Sequence, residues 1–324
     1  MSRTWWEVYA AKCAGWDRVV LYDQARELLT RSVCQWAGVP LPEDEVLTRT
    51  AEPSAMFDRA GSLGLGHLWS RLGRMAGNHW ARQLIESVRR GDLTPPPDAA
   101  LTLVANHRDP QGLLLPPHVA AVELLNILRP TVAVAVYVVF VAWALEEFTD
   151  CRSEALEGGP EYDRCFVEEV RRFFPFFPAV AARVRHDFEW RGLRFPAGRR
   201  TLLDLYGTCH DPRAWYEPDR FHPRRLSGTP DPTAPAAGPD DADACDYPHD
   251  RFAFIPQGGG AAAETHRCPG EEVALELMLV ALDQLTRRMT YTVPPQDRTI
   301  DFTRLPALPR DRFVLREVRP VTES

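Results

Sequence analysis

The sequence has almost no lysine: Lys12 is the only one, so arginine carries nearly all of the positive charge. Its 38 basic residues are outnumbered by 45 acidic ones, and the net charge is −7. The arginines are scattered among acidic residues, whereas proteins that grip phosphate backbones need a concentrated basic surface. The composition therefore argues against a nucleic-acid partner.

Paired cysteines and long uncharged runs are missing as well. The seven cysteines are odd in number and form no CxxC pair, which argues against a disulfide framework, and the first residues lack a secretion-signal pattern. The most apolar run, 131–145, is 15 residues long. A bilayer span needs roughly 20. We therefore expect a cytoplasmic protein without a membrane span, in which this run forms a buried core helix.

The spacing of apolar residues predicts helices in the first two thirds of the chain and short strands afterwards. The predicted helices are Trp5–Trp16, Asp23–Trp36, Leu68–Arg90, Val119–Phe148, Tyr162–Phe174 and a last one from about Pro269 to Arg288. The predicted strands are Val184–Phe195, Thr201–Tyr206, Met289–Val293 and Arg312–Val318. This pattern indicates a mainly α fold with small β-sheets.

At 324 residues and 45% hydrophobic composition, the chain can bury a substantial core, and we predict a single domain over residues 1–324. Segment 227–250 is rich in Pro, Ala, Gly and Asp and has almost no large apolar residues. Such a segment cannot bury enough surface to order itself, so we predict a mobile surface loop there.

A cysteine loop with its following helix, residues 251–288, holds the first candidate site. It runs from Phe254 through three glycines to Cys268-Pro-Gly, and the thiol stands just before the predicted helix. A helix N-terminus favours a thiolate, which is a suitable axial ligand for haem iron. Gly260 would let the backbone approach a flat cofactor, Phe254 could pack near the thiolate, and His266 or Arg267 could meet a haem propionate.

Two other interpretations of Cys268 stay open on these residues alone. It could be an inert cysteine buried as a small apolar side chain. It could also bind zinc together with Cys245, His249 and His266, although their spacing does not match the usual paired-ligand patterns.

A second element, Glu169-Val-Arg-Arg172-Phe-Phe-Pro, places a carboxylate and a guanidinium three residues apart on one helix face. Phe221-His-Pro-Arg224 follows about fifty residues later. By itself the first pair could be an ordinary surface salt bridge worth less than about 1 kcal/mol.

A third element is Arg129-Pro130, which sets a permanent cation and a helix-breaking residue inside apolar sequence. Burying that charge without a partner would cost several kcal/mol of free energy. We therefore expect an anion nearby. The plainer alternative is a cation at a helix kink that pairs with an internal carboxylate or reaches water.

In order and spacing, these three elements resemble the cytochrome P450 family, and Arg129-Pro130 in place of an acid–alcohol pair resembles its fatty-acid peroxygenase and decarboxylase branch. The resemblance implies a P450 fold, haem b with its iron on Cys268, and structural roles for Glu169, Arg172 and Arg224. Members of the family are longer, so it also implies a truncated N-terminus, with Met1 near the family's third helix.

The same resemblance implies what the protein does. Arg129, with Pro130, would form the catalytic element, where Arg129 binds a fatty-acid carboxylate, and hydrogen peroxide would be the oxidant without a redox partner. The expected reactions are hydroxylation at the α or β carbon, or decarboxylation. Two alternatives stay open: a reductase-dependent monooxygenase, and a non-catalytic remnant that binds haem or fatty acid.

Overall fold

The computed structural model of the chain describes residues 2–58, 65–227, 252–302 and 304–321. The described chain divides into two compact units, Met1–Glu157 with Glu272–Ser324, and Gly158–Glu271. The prediction of a single domain stays a prediction. Most of the segment predicted to be mobile, 227–250, lies outside the described residues.

The first unit is built mainly from helices, and the amphipathic spacing of the sequence explains most of them. Their bounds are α1 (Ser2–Cys13), α2 (Leu21–Ala37), α3 (Val46–Asp58), α4 (Leu65–Arg90), α5 (Ala100–Asn106), α6 (Pro117–Ala133), α7 (Ala135–Glu147) and α8 (Thr149–Glu157). Helix α2 ends at Gly38, whose φ of 71° is left-handed. A Cβ there would lie 2.7 Å from the Cβ of Ala99, so both the backbone angle and the packing require glycine.

The most apolar sequence forms two helices rather than the single one predicted for Val119–Phe148. Pro130 lies inside α6 and has no N–H to donate. The α-helical hydrogen-bond pattern is interrupted at Val134, whose N–H donates to the carbonyl oxygen of Thr131, three residues earlier, at 3.2 Å. By length and composition, Pro117–Glu147 could cross a membrane, but 72% of its most apolar window is buried inside the protein. A core helix is therefore the appropriate description of this stretch.

The C-terminal part of the chain adds strands to this unit. Helix α11 (Glu271–Asp283) starts at the last residue of the second unit and runs on into a π-helical turn, Gln284–Arg288. A three-stranded sheet has the order β1 (Val19–Val20), β9 (Val314–Pro320), β6 (Met289–Thr292), all antiparallel. The strands β7 (Ile300–Asp301) and β8 (Leu308–Pro309) form a separate pair.

The second unit contains α9 (Pro160–Phe173), α10 (Leu205–Cys209) and two antiparallel strand pairs. Strand β2 (Ala179–Arg183) pairs with β5 (Arg200–Asp204), and β3 (Phe188–Trp190) pairs with β4 (Leu193–Phe195). The strand predicted for 184–195 is therefore wrong in its bounds, because a hairpin turn at Arg191 and Gly192, both at positive φ, divides it. The rings of Phe188 and Phe195 stack at 4.6 Å across the hairpin.

The buried face of α7 generates a stability prediction. Phe140 is fully buried, so Phe140→Ala should lower the free energy of unfolding by about 3–5 kcal/mol through lost burial and the cavity left behind. Phe302 in the same unit is 54% exposed, and Phe302→Ala should change it by less than about 0.5 kcal/mol. Urea unfolding followed by circular dichroism measures both; equal losses would contradict the assignment of α7 to the core.

Candidate functional site

The cysteine loop folds back on itself just ahead of α11. The N–H of Cys268 donates to the carbonyl oxygen of Gln257 at 2.8 Å, and the N–H of Gly258 donates to that of Ile255 at 3.1 Å. The hydroxyl of Thr265 donates to the carbonyl oxygens of Gly259 and Ala261, each at 2.8 Å. These bonds hold the two arms of the loop together, so the position of the thiol is set by backbone contacts.

Two glycines permit this close approach. Gly258 has a φ of +96°, and a Cβ on it would lie 2.9 Å from the Cα of Arg267, which is closer than real Cβ atoms come. Gly260 has a φ of +82°, and its Cβ would lie 2.7 Å from Cγ2 of Thr265. Both positions therefore need the left-handed backbone and the missing side chain that glycine provides.

Cys268 and Cys151 are less buried than the other described cysteines, and this difference matters for ligand chemistry. Cys13, Cys34, Cys165 and Cys209 are all buried, whereas Cys268 is a half-buried free thiol. Burial raises the pKa of Cys13 to about 11 and that of Cys34 to about 12, and it also raises the pKa values of Cys165 and Cys209. Those four are poor sources of a thiolate, because a desolvated sulfur resists ionisation.

The zinc interpretation receives no support from the described part of the chain. Within residues 2–58, 65–227, 252–302 and 304–321, no three His, Cys, Asp or Glu side chains are grouped so as to hold a metal ion. Cys245 and His249 lie outside these residues.

The remaining residues predicted for this loop are partly accessible. His266 is exposed, and Phe254 and Arg267 are half-buried. Phe254 packs on the ring of Trp215 with centroids 6.0 Å apart. The Arg267 guanidinium donates to the Oε2 of Glu271 at 2.5 Å and to the carbonyl oxygen of Gly260 at 3.3 Å. A propionate contact by His266 or Arg267 stays a prediction.

Glu169 and Arg172 form an ion pair in which neither side chain is exposed. Both bonds of the pair measure 2.8 Å. Arg172 also donates to the carbonyl oxygens of Cys209 and Pro218 at 2.8 Å and of Arg220 at 3.2 Å. The pair is therefore not a surface salt bridge: it ties α9 to the irregular segment after α10.

The arginine that completes this network is Arg225, one position later than the one selected from the sequence. Its Nε donates to Oε1 of Glu169 at 3.1 Å, and the backbone N–H of His222 donates to the same oxygen at 2.8 Å. Arg224 instead places its guanidinium over the ring of Tyr162, 5.3 Å from the centroid. Two adjacent arginines look alike in a sequence, and only the direction of the 3₁₀ turn at Pro223–Leu226 decides which one faces Glu169.

Sequence reasoning missed Arg171, which is fully buried next to Arg172 on α9. It forms ion pairs with Glu168 on its own helix and with Glu271 at the start of α11. Its guanidinium also lies over the ring of Phe254, 5.3 Å from the centroid. The Arg171-Arg172 pair in the sequence carried a signal, since two consecutive charges on a largely buried helix both need partners.

The second candidate group belongs to the first unit and centres on Arg129 in α6. Arg129 is half-buried, Pro130 is exposed, and within the described residues Arg129 has no hydrogen bond or ion pair. Burial, assisted by the charge of Arg74, lowers the pKa of the Arg129 guanidinium. Glu123, earlier on the same helix, is exposed and hydrogen-bonded to Asn126. The internal carboxylate weighed as an alternative is thus not found among the described residues.

Comparison with known proteins decides the family. A family model for cytochrome P450 matches residues 161–318. The solved structure of cytochrome P450SP alpha (CYP152B1) with (R)-ibuprophen is 47% identical, covers 98% of this chain and 74% of that one, and superposes with a TM-score of 0.87. The chain belongs to the cytochrome P450 family.

Three further P450 proteins show the range of the similarity. Cytochrome P450EX alpha (CYP152N1) with myristic acid is 44% identical, covering 94% of this chain and 70% of that one at a TM-score of 0.83. Cytochrome P450 OleT with arachidonic acid is 29% identical, covering 99% and 73% at a TM-score of 0.86. Cytochrome P450 84A4 of Arabidopsis thaliana is 28% identical over 131 residues, which is 40% of this chain and 22% of that relative's length.

P450 proteins bind haem b through its iron, and the residues present here fit that group. The decisive observation is the donor chemistry: Cys268 is a half-buried free thiol on a loop whose arms are held together by backbone hydrogen bonds, whereas the other half-buried thiol, Cys151, lies on helix α8. A soft thiolate held in a fixed position is what a haem iron requires of its protein ligand. The predicted fold, mainly α with small sheets, is confirmed.

The loop glycines generate a testable prediction. Gly258→Ala should lower the free energy of unfolding by about 2 kcal/mol or more. The alanine would have to adopt a left-handed backbone, and its Cβ would be too close to the main chain of Arg267. Gly198 has a similar φ of +81° but open space around it, so Gly198→Ala should lose about 1 kcal/mol. Thermal unfolding measures both. A loss at Gly258 no larger than at Gly198 would mean that the loop arms are not held this closely.

Proposed function

We propose that this P450 oxidises long-chain fatty acids with hydrogen peroxide, by hydroxylation at the α or β carbon or by decarboxylation. The observation that carries the proposal is Arg129, a half-buried guanidinium in an apolar helix with no partner among the described residues. An unpaired cation in such a position favours an anionic ligand with a long apolar tail. Relatives solved with myristic acid and with arachidonic acid agree with that class of ligand.

Cys268 is the residue that would hold haem iron, with Phe254, Gly260, His266 and Arg267 around the cofactor. When bound, haem with a thiolate ligand supplies peroxide-dependent oxidation of carbon–hydrogen bonds. The tight loop contributes by holding the sulfur in place through the backbone bond from Cys268 to Gln257. Glu169 and Arg172 would have a structural role, because both side chains are fully buried and their described contacts are with each other and with other protein groups.

Arg129 would bind the fatty-acid carboxylate through two parallel N–H···O bonds. A carboxylate held in this way can accept a proton from hydrogen peroxide and return it, so it serves as the acid–base group of the reaction. The helix itself offers no such group beside Arg129, because no residue within four positions of it on α6 has a carboxyl side chain. The substrate thus completes the site.

The group that transfers the protons distinguishes this proposed reaction from that of a reductase-dependent monooxygenase. A reductase-dependent monooxygenase delivers protons through an acid–alcohol pair, and Arg129-Pro130 is a poor substitute for that pair. We accordingly propose that no redox partner is needed and that the protein works in the cytoplasm, where its thiols stay reduced. Product formation with hydrogen peroxide and no electron donor tests this choice; product only with a reductase would reverse it.

Arg129 provides the test of the substrate class. Arg129→Ala should lower kcat/KM for a long-chain fatty acid by about 100-fold or more, since two charge-assisted hydrogen bonds are lost. Arg129→Lys keeps the charge but cannot form two parallel hydrogen bonds, so its kcat/KM should lie between those of the wild type and of Arg129→Ala. Arg90→Ala is the control, because Arg90 is an exposed arginine paired with Asp92. Unchanged turnover in Arg129→Ala, with haem content equal to the wild type, would remove the carboxylate-binding role.

Cys268 provides the test of the cofactor ligand. In Cys268→Ser the strongly red-shifted carbon monoxide band of the reduced, haem-loaded protein should disappear, because an alcohol cannot replace a thiolate. Cys151→Ser is the matched control, since Cys151 is the other half-buried thiol among the described cysteines. Retention of the band in Cys268→Ser would assign the ligand elsewhere, and its absence from the wild-type protein would favour a remnant without haem-thiolate chemistry.

A further inference from the structure

A chain of alternating charges runs through the second unit beside the cysteine loop. It begins at Glu168 on α9, passes to Arg171 on the same helix, continues to Glu271 and ends at Arg267. The Arg171 side chain has no exposure, and those of Glu168 and Glu271 are 8% and 11% exposed. Two guanidiniums and two carboxylates compensate one another there, and removing Arg171 would leave two carboxylates at low exposure without their shared partner.

The two carboxylate oxygens of Glu271 have different partners. Oε1 accepts from Arg171, whereas Oε2 accepts from Nε of Arg267 at 2.5 Å. Arg267 immediately precedes Cys268, and Glu271 begins α11 three residues after it, with its N–H donating to the carbonyl oxygen of Cys268 at 3.4 Å. Glu271 therefore clamps both sides of the four-residue turn that presents the thiol.

Arg171 anchors this clamp in the core. Its position is set by the ion pair with Glu168 and by the ring of Phe254, over which its guanidinium lies.

We infer that Arg171 is a positioning residue for Cys268: acting through Glu271 and Arg267, it holds the turn that presents the sulfur. The inference rests on the proposed haem-thiolate role of Cys268. It gives Arg171 a task separate from that of its neighbour Arg172, which binds Glu169 and three carbonyl oxygens after α10. Groups behind a metal ligand commonly change metal affinity by about 10–100-fold when they are removed.

The experiment uses Glu271→Gln, which keeps the shape of the side chain but removes the charge that both arginines share, and Arg171→Lys, which keeps the charge but cannot span two carboxylates. Arg164→Gln is the matched control. Arg164 lies on the same helix and also faces Glu168, at 4.0 Å, but its side chain is 49% exposed and it has no described contact with Glu271.

The first readout needs no cofactor. In the haem-free protein, alkylation of Cys268 by iodoacetamide, followed by mass spectrometry of its peptide, should be at least about fivefold faster in Glu271→Gln and Arg171→Lys than in wild type and Arg164→Gln, because a released turn exposes the sulfur. The alkylation rate of Cys151 in the same samples corrects for general loosening. Equal Cys268 rates in all four proteins would overturn the inference.

The second readout uses haem-loaded protein. Both variants should bind haem about 10–100-fold more weakly and convert part of the red-shifted carbon monoxide band to the unshifted form, while Arg164→Gln keeps the wild-type spectrum. If either variant fails to fold by circular dichroism, it is replaced by Glu168→Gln, which removes the other carboxylate that holds Arg171. A wild-type spectrum without the red-shifted band would defeat the proposed function instead, whereas a wild-type band that the variants fully retain would defeat only the positioning role.

Discussion

The ion pair between Glu169 and Arg172 is the interaction on which the second unit depends. Neither side chain is exposed, so each charge has lost its water and must be satisfied by protein. Arg172 fills its remaining donors with three backbone carbonyls, and Glu169 accepts from Arg225 and from the N–H of His222. Removing either partner would leave an uncompensated buried charge, at a cost of about 3–5 kcal/mol.

That pair also explains how a segment with almost no regular structure keeps its shape. From Asp211 to Arg220 the backbone forms turns and bends, and one guanidinium binds the carbonyl oxygen of Cys209 just before this segment and those of Pro218 and Arg220 at its end. Helix α9 thus serves two purposes through adjacent residues. Arg172 organises the segment after α10, and Arg171 reaches the turn around Cys268 through Glu271. Both arginines are fully buried, although adjacent residues on a helix point in different directions. More than one face of this part of α9 is therefore covered by protein.

The candidate site in the first unit obeys the opposite rule. Arg129 is half-buried and has no hydrogen-bond or ion-pair partner among the described residues, and the charge that acts on it is that of another cation, Arg74. Protein cores pair their buried charges, and under the proposed function the substrate carboxylate would pair with Arg129. The buried charges of the second unit, in contrast, pair with one another.

By itself the sequence determined the mainly helical class, the burial of the 131–145 run, the pairing of Glu169 with Arg172 and the glycine-dependent loop before Cys268, because these follow from local spacing and from backbone angles that only glycine adopts. Only the tertiary structure decided that Arg225 rather than Arg224 reaches Glu169, that the helix at 119–148 breaks at Val134, and that Arg171 meets Glu271. The physical reason is distance along the chain. Arg171 and Glu271 are 100 residues apart, and no local pattern records which buried charges will face each other once the segments pack.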